Sequence, residues 1–166
     1  MQGQVEVTPI AGACGAVVSG VDLSQPLGNE TFAAVHQAFL DHQVIFFRDQ
    51  DLPPEQQIGF SRRFGELRIS EQYEALEGYL EIIEIVKEPD STGIVGNLWH
   101  SDESFLPQPA LGSLLYMHEN PEVGGDTMFA NQYLAYDALS DGMKEFLSGL
   151  RAVHSDASLG SRNKGR

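Results

Sequence analysis

Basic residues are scarce in this sequence: 10 Lys and Arg stand against 24 Asp and Glu in 166 residues, a formal net charge of −14. The summed field of such a chain repels polyanions, so neither nucleic acid nor an anionic membrane surface is an expected partner. A small anionic ligand is still admissible where a pocket is locally basic. Cysteine is nearly missing as well. Cys14 stands alone, which excludes an intrachain disulfide or a thiolate cluster and leaves it as a small buried hydrophobe. No run approaches the ~20 consecutive apolar residues of a membrane helix. The opening MQGQVEV lacks the basic-then-apolar layout of a signal peptide, so a cytoplasmic location and no membrane association are expected. Internal repeats and low-complexity segments are absent too.

What is present is an ordinary globular composition, 42% apolar and 20% charged. A chain of this length can bury one sizeable core, and a single domain over 1–166 is expected. Oligomeric state is left open, a homo-oligomer included. Alternation from Gln4 to Ile10 and the apolar run Ala16 to Val18 predict two short strands. From Asn29, a residue able to cap a helix, Phe32, Val35, Phe39 and Leu40 recur at helical spacing and predict an amphipathic helix. Val44 to Phe47 has the length of a buried strand. Pro54 suits the first turn of a second helix reaching about Phe64, with Gly65 as a stop. Tyr79 to Val86 reads as a strand and Lys87 to Gly96 as a loop. Further strands are expected near Leu98–Asp102, Leu111–His118, Asp126–Phe129 and Arg151–His154, with helices over Asn131–Leu139 and Asp141–Leu147.

Chemistry is concentrated at His100 and Asp102. In a strand, residues two apart project from the same face, so an imidazole and a carboxylate would meet while Ser101 points away. Two such donors are most of the set that holds mononuclear non-haem Fe(II) when two histidines and one carboxylate occupy one face of an octahedron. A His-x-Asp pair is also what a surface carboxylate beside a satisfied histidine looks like. The remaining histidines, His36, His42, His118 and His154, show no ligand spacing with one another. His36 and His42 are expected to be solvated or hydrogen-bonded locally. Glu74, Glu77, Glu81, Glu84 and Glu88 form a solvated acidic stretch.

The flanking sequence is more specific. Trp99-His100-Ser101-Asp102-Glu103-Ser104-Phe105 is similar to the Trp-His-x-Asp-x-x-Phe segment of the taurine dioxygenase and 2,4-dichlorophenoxyacetate dioxygenase family. Gly124-Gly125-Asp126-Thr127 resembles that family's Gly-Gly-Asp-Thr, Phe60 to Gly65 its Phe-Ser-x-x-Phe-Gly, and Gly20-Val21-Asp22-Leu23 its Gly-Val-Asp-Leu, all in family order. The resemblance implies an α+β fold, a double-stranded β-helix (jelly roll) with flanking helices. It also implies an iron(II)- and 2-oxoglutarate-dependent dioxygenase that takes O₂ and hydroxylates a small-molecule substrate. Succinate and CO₂ would be released, and a carbon–heteroatom bond would break where the attacked carbon bears one. By this resemblance His100 and Asp102 would bind the iron, and the Thr127 hydroxyl would bond a carboxylate of 2-oxoglutarate. Phe105, Asn97 and Tyr73 would serve the substrate pocket. Outside the family, Thr127 is a β-branched residue after a turn and Phe105 is core. The taurine enzyme's substrate histidine falls at Ser70, and Val95-Gly96-Asn97-Leu98 replaces a polar run, which argues against a sulfonate like taurine.

The family's second histidine and its 2-oxoglutarate arginine lie far downstream of Gly-Gly-Asp-Thr. After Thr127 come His154 and, beyond it, Arg162 and Arg166, none in a context resembling that distal motif. A jelly roll needs about eight strands, and about half of those are found after Leu98. The expectation is therefore a dioxygenase domain without its C-terminal part, inactive over these residues alone. A non-catalytic jelly-roll fragment or binding module keeping half a metal site, and a different mononuclear metal enzyme, are the alternatives.

Overall fold

A computed structural model describes residues 3–70, 73–88 and 98–155. It divides into two compact units, one formed by Met1–Leu67 and Leu115–Glu145 and the other by Arg68–Leu114 and Phe146–Arg166. Among the described residues, no helix is long and apolar enough to cross a membrane.

In the first unit, β1 (Glu6–Pro9) runs antiparallel to β2 (Ala16–Ser19), with Glu6 opposite Ser19 and Pro9 opposite Ala16. β2 is in turn parallel to β3 (Ile45–Phe46), with Ala16 opposite Ile45. A parallel pair cannot be joined by a tight turn, and the crossover here is α1 (Asn29–His42), which packs on β2 and β3. Ala16, Val18, Val35 and Ala38 are buried between them. Full burial of Val18 and Val35 stabilises by about 1.5–3 kcal/mol each. Gly20 leaves β2 at φ 81°, and an added Cβ would collide with the Gln4 carbonyl oxygen, so the early Gly-Val-Asp-Leu motif begins where only glycine fits.

Asn29 does not cap α1. The cap is Gly28, whose carbonyl accepts from Phe32 N–H, while the Asn29 side chain accepts from Arg63 Nη2 at 3.1 Å. Gln43 closes the helix in the left-handed region at φ 60°, its N–H donating to the Phe39 carbonyl at 2.8 Å.

α2 spans Pro54–Ser61, shorter than its sequence pattern, because Arg63 and Phe64 N–H groups tighten onto Phe60 and Ser61 carbonyls in a turn. That turn puts Phe64 among Phe32, Phe39 and Phe60, with centroids 5.0, 6.0 and 5.3 Å away. The Phe-Ser-x-x-Phe-Gly motif is thus a packing device against α1. His36 joins it, tilted on Phe64 at 5.8 Å, a position that local hydrogen bonding did not lead one to expect. Arg63 completes the contact by donating to the Leu27 carbonyl at 2.9 Å from 4.2 Å above the Phe32 ring.

The later stretch of this unit is tied back by two side chains. Tyr116 donates to the Gln50 carbonyl at 3.1 Å. Asn131 caps α3 (Gln132–Asp137) by accepting from Leu134 N–H at 3.1 Å, and its Nδ2 donates to Ala13 O and Gln43 Oε1 at 2.7 and 3.0 Å. α4 (Asp141–Ser148) follows. The second unit holds a hairpin, β4 (Ala75–Leu76) antiparallel to β5 (Tyr79–Ile83), turned at Gly78 with φ 86°.

The described elements are α+β, with one three-stranded and one two-stranded sheet. The strand patterns at 98–102, 111–118, 126–129 and 151–154 form no strand. β-propensity measures the fit of side chains to a pleated, half-buried surface, and these segments have no neighbouring strand to pair with among the described residues. β5 ends at Ile83 rather than Val86, where pairing with β4 runs out.

Asp22, within the early motif, accepts at Oδ1 from Ser24 Oγ at 2.6 Å and from Ser24 N–H at 2.9 Å. The hydroxyl bond, then the backbone bond, holds its carboxyl below the usual Asp value. A depressed folded-state value contributes stability that is present above the unfolded value and is lost as pH falls through the folded one. Ser24→Ala should move the Asp22 carboxyl titration upward in a ¹³C NMR experiment; an unmoved midpoint would show that the hydroxyl is not the cause.

Candidate metal half-site

Residues 98–102 form no strand and 102–105 form a turn, yet His100 and Asp102 still meet: Nε2 of His100 lies 3.2 Å from Oδ1 of Asp102. The other ring nitrogen, Nδ1, lies 2.7 Å from the Leu98 carbonyl oxygen. A carbonyl can only accept, so Nδ1 carries the proton and Nε2 turns its remaining valence toward the carboxylate. Two acceptors in such proximity call for a cation between them, either a proton or a metal ion. Donors bonded at about 2.0–2.2 Å in neighbouring octahedral positions stand about 3 Å apart, close to the observed separation. The pair also has the outer support usual for ligands: the imidazole is oriented by a backbone carbonyl, and Asp102 Oδ2 accepts from Ser113 Oγ at 3.2 Å.

Both side chains are open to solvent, 55% and 64% exposed. Glu103, the next residue, sits in the left-handed region at φ 51° and pairs with Arg68, Nε to Oε1, at 3.1 Å. Phe105 lies half-buried on the same turn, and Tyr73, in the same unit, is exposed. Asn97 lies outside the described residues.

Thr127 belongs to the other unit and is exposed. It follows Gly124 and Gly125, at φ 85° and 74°, and a Cβ at Gly125 would press on Pro121 at 3.3 Å. Two residues further on, Phe129 meets Phe46 edge-on at 6.4 Å. Among the described residues no three His, Cys, Asp or Glu side chains are grouped to hold a metal. Sequence reasoning did not find Ser113 or Arg68. Neither stands at a helical or strand spacing from its partner, and only the fold relates them.

The family model "Taurine catabolism dioxygenase TauD, TfdA family" matches residues 6–164. The chain belongs to this family. It is 35% identical to the (S)-phenoxypropionate/alpha-ketoglutarate-dioxygenase of Delftia acidovorans over 93% of its own length and 56% of that protein's. Its structure matches a taurine dioxygenase from Burkholderia xenovorans with a TM-score of 0.75 at 32% identity, covering 90% of this chain and 53% of that one. A match to AAD-2 in complex with Mn(II) and N-oxalylglycine has a TM-score of 0.68 at 28% identity, covering 98% of this chain and 57% of that one. The chain spans about half the length of the curated relatives it matches.

The ring geometry generates a metal-free expectation. In its neutral form His100 should show a protonated Nδ1 and a bare Nε2 by ¹⁵N NMR. A neutral form with the proton on Nε2 would contradict the bond to Leu98.

Proposed function

We propose that the protein is an iron(II)- and 2-oxoglutarate-dependent dioxygenase that hydroxylates a small organic substrate with release of succinate and CO₂. The observation that carries this reading is the His100–Asp102 pair, 3.2 Å apart with the imidazole anchored on Leu98. Family membership supports it, as does the relative whose structure contains Mn(II) and N-oxalylglycine. The Delftia acidovorans relative, named for phenoxypropionate, favours a substrate in which hydroxylation at a carbon bearing oxygen breaks a carbon–heteroatom bond.

His100 Nε2 and Asp102 Oδ1 are the ligands. An iron(II) held there supplies open coordination positions for 2-oxoglutarate and O₂. Ser113 fixes the carboxylate's second oxygen, so Oδ1 alone is presented. Thr127 donates its hydroxyl to a carboxylate of 2-oxoglutarate, on a segment whose Gly-Gly turn and Phe129 anchor set its position. Phe105, Asn97 and Tyr73 shape the substrate pocket. Among the described residues no third His, Cys, Asp or Glu joins this pair, and in a chain of net charge −14 the dianionic cosubstrate needs a cationic partner of its own.

The full protein should release succinate from 2-oxoglutarate when Fe(II) and O₂ are supplied. His100→Ala and Asp102→Ala should each abolish iron uptake and succinate while leaving the fold intact by circular dichroism. Stoichiometric iron in both variants would remove the ligand assignment. Thr127→Val keeps the side chain's shape and loses its donor, so cosubstrate affinity should fall by about 1.5–3 kcal/mol, the worth of a hydrogen bond to a charged group. Equal affinity in titration would leave Thr127 with a purely structural role.

A further inference from the structure

Glu103 is a charged, unbranched residue held at φ 51°, a region that side chains other than glycine and asparagine enter at a cost. Something must hold it there. Its φ sets the angle between the arm carrying His100 and Asp102 and the chain that follows, and that chain returns at Ser113 to bond Asp102 Oδ2 at 3.2 Å. Two contacts fix the turn. The Glu103 carbonyl accepts from Leu106 N–H at 2.9 Å, and the Glu103 carboxylate is paired with Arg68 Nε at 3.1 Å. The first is local and would form in any such turn. The second reaches Glu103 from a residue that directly follows the Phe-Gly-Glu-Leu stretch and belongs to the same compact unit.

We infer that Arg68 is a positioning residue for the His100–Asp102 pair, acting through its ion pair with Glu103 to hold the left-handed turn that keeps Ser113 on the Asp102 carboxylate. The inference rests on the metal reading proposed above for what the pair does, but not for whether Arg68 holds the turn. Arg68 touches neither ligand. Its side chain is 44% exposed and that of Glu103 30%, so the pair belongs to the weak, salt-screened class. Its effect should be a shift in the population of the aligned turn and not a loss of fold.

The test uses the full chain with Arg68→Ala, Glu103→Ala and the charge-reversed pair Arg68→Glu/Glu103→Arg. Amide hydrogen exchange at Leu106 reads the turn without metal, and a Mn(II) titration followed by electron paramagnetic resonance reads the ligands. Each alanine variant should exchange Leu106 about two- to fivefold faster and bind Mn(II) about two- to fivefold more weakly, the range an exposed pair supplies. The reversed pair should restore both, the melting temperature should stay unchanged, and the differences should shrink in 1 M salt. Unchanged Leu106 exchange would overturn the inference, as would unchanged Mn(II) affinity beside faster exchange, or a reversed pair no better than the single variants. A wild-type chain that takes up no Mn(II) would overturn the metal reading itself, and Leu106 exchange alone would then decide whether Arg68 holds the turn.

Discussion

The parallel pairing of β2 with β3 is the constraint on which the first unit is built. β2 is hydrogen-bonded on both edges, antiparallel to β1 and parallel to β3, and the parallel edge obliges the chain to travel the length of the sheet and return. α1 is that return. Its inner face, Val35 and Ala38, closes over Ala16 and Val18, and its other aromatic residues then offer Phe60 and Phe64 a surface. Tyr116 and Asn131 dock the later segment on the ends of the same framework, at Gln50, Ala13 and Gln43. Remove the crossover and Phe60 and Phe64 lose the aromatic surface they pack on.

The parts of the fold legible in the sequence are those whose partner is local. The spacing of Phe32, Val35 and Phe39 suffices for α1, since a helix satisfies its own backbone, and Pro54 marks the start of α2 correctly. The cap of α1 is not legible, because Arg63, 34 residues from Asn29, takes the side chain that would have capped it. Strand patterns fare worse still. The apolar residues of Leu111–His118 suggest a segment able to pair, but a strand exists only beside another strand, and sequence pattern names no neighbour. β1, β2 and β3 are found because hairpin and crossover bring their partners close along the chain.

The half-site shows the same division. The flanking Trp-His-x-Asp-x-x-Phe segment, rather than the two-residue separation alone, singles out His100 and Asp102, and the two side chains meet at 3.2 Å although residues 98–102 form no strand. The support for the pair is distributed. Ser113 lies 11 residues from Asp102, a distance with no period of its own, and the Leu98 carbonyl offers no side chain by which to be noticed. Motif recognition identifies donor atoms; what aims them is a property of the folded turn.

Gly20 separates two meanings of a motif. It opens one of the four segments by which the family is recognised, and the reason nothing else can replace it is the Gln4 carbonyl oxygen in the space a Cβ would take, not a ligand. A survey of tolerated substitutions across this chain would score Gly20 as severely as His100, and the two would be indistinguishable by rank. They would part on what is lost: at Gly20 the yield of folded protein, at His100, under the proposed metal role, an occupant of the site in protein that still folds. Intolerance within a motif is therefore a measure of constraint whose origin, steric or chemical, has to be assigned one residue at a time.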